Sequence, residues 1–238
     1  MGERLMSDTG APADGVEPSA ALHPRDITKM PLLIVTGMFA AGALLYPYLP
    51  SPIPTHWGVT GLPDAFSPKT ALTVFLQPLI ALALYGLLLI APALDSKRRN
   101  LRLSIGAYDL IVDAIVGLQA VIYSAVLIAA FRPGFDVVGV VLLSTGLLIM
   151  VIGNLMRTVR QNRILGVRTV WTLSDEVVWQ RTNALGGRLL IAAGAVTAVC
   201  AFLPAPWGLG VMTVAVLGVS ATTVAYSYLL FRSRHPEA

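Results

Sequence analysis

A chain of 238 residues with 55% hydrophobic side chains, only 13% charged ones and a mean hydropathy of +0.73 is too apolar for water. Soluble domains carry about 25% charge, and a core of this size cannot hide the surplus apolar surface, so a soluble globular domain is excluded. The net charge of +4 does not point to direct nucleic-acid binding, because the cations sit at the ends of apolar runs, where membrane topology puts them.

Residues 1–25 are rich in Ala, Pro, Gly and Asp and lack the apolar core of a cleavable signal, so they read as a disordered tail. The first apolar run is Met30 to Leu49, flanked by Lys29 and by the interfacial aromatics Tyr46 and Tyr48. About 20 residues at 1.5 Å each cross a hydrocarbon core of roughly 30 Å. A Pro-rich loop over residues 50–69 leads to the second run, Thr70 to Leu94, with Pro78 and Pro92 as predicted kinks. A basic turn, residues 95–102, precedes the third run, Ser104 to Phe131, and Arg132-Pro133-Gly134 makes a tight turn into the fourth, Val137 to Leu155. A long polar loop follows. The fifth run is Leu189 to Leu203, the turn Pro204 to Gly208 comes next, and the sixth run is Leu209 to Phe231. The lone cysteine, Cys200, excludes an intrachain disulfide and a Cys-rich metal site.

Six spans put both termini on one side. If that side is cytoplasmic, it holds Arg4, Arg25, Lys29, Lys97, Arg98, Arg99, Arg102, Arg157, Arg160, Arg163, Arg168, Arg181, Arg188, Arg232 and Arg234, leaving Lys69 and Arg132 outside. This is the positive-inside pattern. The expected fold is therefore all-α and polytopic, with six transmembrane helices and cytoplasmic N and C termini. Its regions are the tail (1–25), a two-helix region (26–94) with the outer loop 50–69, and a four-helix region (95–238) with the cytoplasmic loop 157–188.

In that loop Asn154, Arg157 and Arg160 recur every three residues with Arg163 next, which predicts a helix continuing out of the fourth span until Gly166 breaks it. Thr172 or Ser174 is a candidate N-cap for a second short helix, with Asp175 and Glu176 in its first turn and Gly186-Gly187 as its stop. That helix is expected to lie among the headgroups, anchored by Trp171 and Trp179. Two readings stand for the arginines: topology and anionic lipid, or a recognition surface. Asn162, Thr169, Thr172, Ser174 and Asp175 around Arg168 and Trp171 add polar chemistry that topology does not need.

Outside, the Pro-rich loop carries Pro54, His56, Trp57 and Asp64. A lone His–Asp pair is too few ligands for a closed zinc site. It belongs to a folded cap, to a ligand-docking surface or, least in line with the residues, to catalysis; no metal, cofactor or catalytic set is predicted. Within the third span, Asp109 and Asp113 share a helix face. Such carboxylates are costly in a bilayer; they pair with Arg157, Arg160 or Asn154, or they form a proton or ion relay.

The run containing Asn162, Gly166-Val167-Arg168-Thr169, Trp171-Thr172-Leu173-Ser174 and Trp179 resembles the SdpI-type immunity protein family, departing from it at Val170, where proline is usual. The stretch Ile53-Pro54-Thr55-His56-Trp57 with Gly61, Pro63 and Asp64 is similar to the small domain of unknown function that often precedes it. The resemblance implies a non-enzymatic membrane protein that gives immunity to a secreted peptide toxin and holds a transcriptional repressor at the membrane. The expected partners are thus membrane lipids, an extracellular peptide and a cytoplasmic repressor met by Asn162 to Trp179. A transporter is the alternative, but inverted repeats with broken midplane helices are not visible. A membrane hydrolase using His56 and Asp64 ranks last, for want of a nucleophile–base set.

Overall fold

The computed structural model describes residues 29–94, 100 and 103–237; the expected tail and most of the basic turn fall outside them. The protein is mostly helical, and six helices are long and apolar enough to cross a membrane. They are α1 (Met30–Leu45, extended by a 3-10 turn Tyr46–Tyr48), α2 (Ala71–Ile90), α3 (Ile105–Phe131), α4 (Val137–Met156), α6 (Glu176–Cys200) and α7 (Ala205–Arg234), with a short α5 (Val170–Ser174) between α4 and α6. Large apolar side chains such as Leu33, Leu87 and Leu217 stand outward and exposed. In water such a surface would aggregate; in lipid it is the solvated face. Helices prevail because lipid offers no partner for a free N–H or C=O.

Two sub-bundles make up the chain. In the first, α1, α2 and α3 pack around Val35, Met38, Val74, Ala81, Tyr108, Val112, Val116 and Tyr123. Pro78 of α2 and Pro92 of the 3-10 turn that follows it (Ala91–Leu94) are both answered there. Pro78 has no N–H, so the carbonyl of Val74 lacks its helical donor, and the Tyr123 hydroxyl donates to that carbonyl at 3.1 Å. Pro92 leaves the Leu88 carbonyl in the same position, and the Tyr108 hydroxyl donates to it.

In the second sub-bundle α4 and α6 run antiparallel on a seam of small residues. A Cβ built on Gly146 would stand 2.6 Å from the Gly194 carbonyl, one on Gly153 2.7 Å from the Gly187 carbonyl, and one on Gly139 3.1 Å from the Ala201 carbonyl. Backbones this close give van der Waals packing without bulky side chains, which drives helix association in lipid. Helix α7 lies on α6 and buries only Gly208, Thr223 and Ser227.

The sequence reading needs three changes. The outer loop contains an antiparallel hairpin, β1 (Ile53–Trp57) and β2 (Pro63–Ser67), turned by Gly61 at φ +82°. The fifth span begins at Glu176 rather than Leu189, and Gly186-Gly187 lie inside it. These glycines do not stop the helix, because they are contact positions: Gly187 meets Gly153, and Gly186 meets Thr223. Finally, α4 ends at Met156, and residues 157–169 are irregular rather than helical.

Candidate functional site

The long loop is built around buried amides. Asn162 is wholly buried; its Oδ1 accepts from the amides of Ile164 and Leu165, both at 2.7 Å, and its Nδ2 donates to the Arg160 carbonyl. This Asx-type turn competes with helix, which is why the expected helix through Arg157, Arg160 and Arg163 does not form. Trp179, 1% exposed, donates its indole N–H to the Val159 carbonyl at 3.0 Å. It is a core residue, so the expected headgroup anchor at this position is corrected. Asn183 accepts from the Val167 amide at 2.8 Å and donates to the Trp179 carbonyl. Gly166 lies directly over this pair at φ +103°, where a Cβ would come within 2.5 Å of Asn183 Oδ1.

Thr169 caps α5 by accepting from the Thr172 amide at 3.1 Å, and the Thr172 hydroxyl receives the Thr169 amide at 2.9 Å. This reciprocal pair satisfies amides that a five-residue helix would otherwise leave open. Thr172 is buried, and Gln161 donates to its carbonyl at 2.6 Å. The cap of α6 is neither Thr172 nor Ser174 but Asp175, whose Oδ1 accepts from the amides of Val177 and Val178. Ser174 is exposed and donates to the Trp171 carbonyl.

The loop is fastened to its neighbours on two sides. Toward α3, Ile164 and Leu165 pack on the first core, the Arg160 amide donates to Ser104, and Asn100 donates to the Gln161 carbonyl. Toward α7, the Thr169 and Ser227 hydroxyls bond at 3.1 Å, Trp171 packs on Tyr228 with ring centroids 5.1 Å apart, and Asp175 Oδ2 accepts from Arg234 at 2.9 Å and contacts His235 at 3.1 Å. Arg234 above all, then the Val178 amide, His235 and the Val177 amide, hold the Asp175 carboxyl well below its ordinary value of 3.8 against the opposing effect of desolvation. Sequence reasoning missed Asn183, Ser227, Tyr228, Arg234 and His235. The one visible signal was Asn183, a polar residue in a stretch that must be helical.

Most residues of the predicted recognition surface therefore point inward. Of Asn162, Arg163, Gly166, Arg168, Thr169, Trp171, Thr172, Ser174, Asp175 and Trp179, Arg163, Arg168 and Ser174 are exposed, and the Arg168 guanidinium donates back to the Arg163 carbonyl. Asp109 and Asp113 sit half-buried on α3, each engaged by a neighbour, with Asp113 in electrostatic reach of Tyr85. Arg157 and Arg160 do not pair with them, and Asn154 is exposed on the last turn of α4.

At the opposite end of the bundle His56 Nδ1 and Asp64 Oδ1 are 2.5 Å apart across the hairpin, both exposed. Pro54 is buried, and Trp57 packs on the cluster of Val138, Leu142 and Ala201, as do Ala205, Leu209 and Met212 of α7. A groove of about 350 Å³ separates the hairpin from the α3–α4 turn, walled by Pro54, Trp57, Pro63, Phe66, Pro133 and Phe135. Among the described residues no three His, Cys, Asp or Glu side chains come together as a metal site would require.

Residues 158–228 match the SdpI/YfhL protein family, and residues 33–82 match a domain of unknown function, DUF1648. The chain is 30% identical over 201 residues to the "Immunity protein SdpI" of Bacillus subtilis (strain 168), an alignment covering 83% of this chain and 93% of that protein. No solved structure matches it.

Proposed function

The chain belongs to the SdpI/YfhL protein family, and from that membership we propose that it is an immunity protein of the cell membrane, protecting its host against a secreted antimicrobial peptide. The observation that carries the reading is identity sustained through 93% of a protein named for immunity. Orientation follows the arginines: the loop and both termini face the cytoplasm, and the hairpin with its apolar groove faces outward, where a secreted peptide arrives.

The same reading includes a signal. What supports it is α7, which touches both ends of the system. At its start Ala205 meets Gly61 of the hairpin turn and shares the Val138–Leu142–Ala201 cluster with Trp57; at its end Ser227, Tyr228, Arg234 and His235 hold the loop. Its 30 residues make a rod of about 45 Å. A peptide that shifts the hairpin moves the rod, and the rod loosens or tightens the loop. A repressor with an acidic patch then meets Arg163, Arg168 and Ser174, which are among the exposed residues of the loop.

Deleting the gene and challenging the strain with its own spent medium tests the immunity half. Growth of the deletion strain is expected to fail and to return on complementation; unimpaired growth overturns it. For the signalling half, Trp171→Ala and Tyr228→Ala are each expected to abolish repressor recruitment while membrane levels hold, and the double variant is expected to do no more than either. Recruitment that survives both changes removes α7 from the pathway.

A further inference from the structure

The loop end of the bundle holds a polar cavity for which the immunity reading has no use. It measures about 300 Å³ and lies between residues 156–161, just past α4, and the first two turns of α6. Trp179 and Asn183, both buried, close its inner side; Arg157, Arg160, Glu176 and Gln180 stand around it. Among the described residues neither guanidinium has a hydrogen bond or an ion pair. The nearby carboxylates are engaged elsewhere, Asp175 by Arg234 and His235, and Glu176 by Gln180 at 3.5 Å. A single free arginine on a surface signals nothing. Two on the wall of one polar cavity, with buried Asn183 and Trp179 behind it, present an excess of positive charge and guanidinium donors to whatever enters.

Depth identifies the kind of molecule that can enter. Helix α4 has 20 residues, about 30 Å of rise, which is the thickness of the hydrocarbon core. Arg157 follows its last residue and so stands at the boundary between acyl chains and headgroups. The Gly153–Gly187 contact sets the level of α6, and Arg157 lays its stem against Gly187. The cavity walls at Glu176 and Gln180 lie beyond that level, in the headgroup layer, whichever leaflet it is.

We propose that this cavity is a phosphate site, filled by the head of an anionic phospholipid whose phosphate is held by Arg157 and Arg160. Guanidinium matches phosphate oxygens in shape as well as charge. A volume of about 300 Å³ is at the small end of ligand sites; it takes one headgroup and excludes a helix or strand of a protein partner. A bound head would tie the end of α4 to the start of α6, below the point where the glycine seam stops. Glu176 opposes the phosphate, which makes the site selective for a ligand that reaches past it to the arginines.

The test uses the purified full chain in detergent and calorimetric titration with dihexanoyl phosphatidylglycerol and, separately, with inorganic phosphate. The short-chain lipid is expected to bind at one site. Arg157→Gln with Arg160→Gln is expected to weaken it about 25-fold, roughly five-fold per charge. Arg181→Gln with Arg232→Gln removes the same charge elsewhere and leaves binding unchanged. Glu176→Gln is expected to tighten binding several-fold, a gain that a misfolded chain cannot give. If only inorganic phosphate binds, with the same dependence on Arg157, Arg160 and Glu176, the site stands and its occupant is a soluble phosphate ester. Absence of binding by either ligand, or equal weakening in the two double variants, overturns the proposal.

Discussion

Tyr123→Phe is the sharpest test of how this bundle tolerates proline in a lipid-spanning helix. The change removes one oxygen and leaves the ring, so packing around a side chain that is 3% exposed is preserved. What it takes away is the donor to the Val74 carbonyl, 3.1 Å distant, which Pro78 cannot supply. An unsatisfied buried polar group costs about 1–3 kcal/mol, and measured hydrogen bonds between membrane helices average about 0.6 and reach about 1.7. A loss of about 1 kcal/mol is therefore expected. In a Pro78→Ala background residue 78 regains its N–H, the Val74 carbonyl has a helical partner, and the same Tyr123→Phe change is expected to cost about a third as much. The cycle is read from unfolding in mixed micelles of increasing dodecyl sulfate content, followed by circular dichroism. If Tyr123→Phe costs the same in both backgrounds, the hydroxyl is not compensating for the proline and the reasoning fails. Tyr108, Leu88 and Pro92 repeat the arrangement and provide an independent cycle.

Three further outcomes follow from the packing and the charges. Gly146→Ala forces a methyl to within 2.6 Å of backbone atoms on α6 and is expected to cost about 1–3 kcal/mol, whereas Gly117→Ala on α3, with nothing within 4 Å, is expected to be neutral or up to about 1 kcal/mol stabilising; micelle unfolding separates them. Gly166→Ala places a side chain at φ +103° against Asn183 and Trp179, and is expected to expose the Trp179 indole to a soluble fluorescence quencher; an unchanged quenching curve refutes the role given to Gly166. Because the folded Asp175 carboxyl lies below its ordinary 3.8, its stabilisation is complete above that value and drains away as pH falls beneath it. Asp175→Asn keeps the cap but is expected to abolish that pH dependence between about pH 5 and the onset of acid unfolding, while Asp175→Ala loses cap and ion pair together, about 2–3 kcal/mol.

The six spans were legible because lipid imposes one rule on every crossing helix: length and apolarity, with cations at the ends. What the sequence hid depends on contacts between distant residues. Gly186-Gly187 has the form of a helix stop, and in water it often is one. Only the approach of Gly153 and Thr223 shows that both positions must lack a side chain while the helix continues. The arginine spacing after Asn154 matched a helix, but Asn162 captures the amides of Ile164 and Leu165, and a local side chain overrode the periodicity. The hairpin was hidden by prolines, since Pro54 and Pro63 demote a strand; here they sit in a two-stranded ladder with an irregular register, where a missing N–H costs little. Of the site, the signature residues were legible as a group, but their direction was not. A tryptophan beside a span reads as an interfacial anchor until its indole is seen donating to the Val159 carbonyl.

That inward direction changes what the signature means physically. The side chains of Asn162, Thr172, Trp179 and Asn183 bind backbone groups of residues 159–179, and Gly166 packs against Asn183 and Trp179, so none of them is free to read a partner; together they fix the shape of one loop. Thr169, Trp171 and Asp175 use their side chains on α7. Helix α7, in turn, is the span with the least buried surface: most of its length meets lipid, and lipid resists sliding far less than a packed core does. A rigid loop held by a loosely embedded rod has two places where a small free energy can act, the hairpin contact at Ala205 and the ion pair at Arg234. The Arg234 side chain is 39% exposed while that of Asp175 is 10% exposed, so the latch joins a solvent-reached cation on α7 to a carboxylate fixed in the loop. Movement of α7 acts on the loop through that pair.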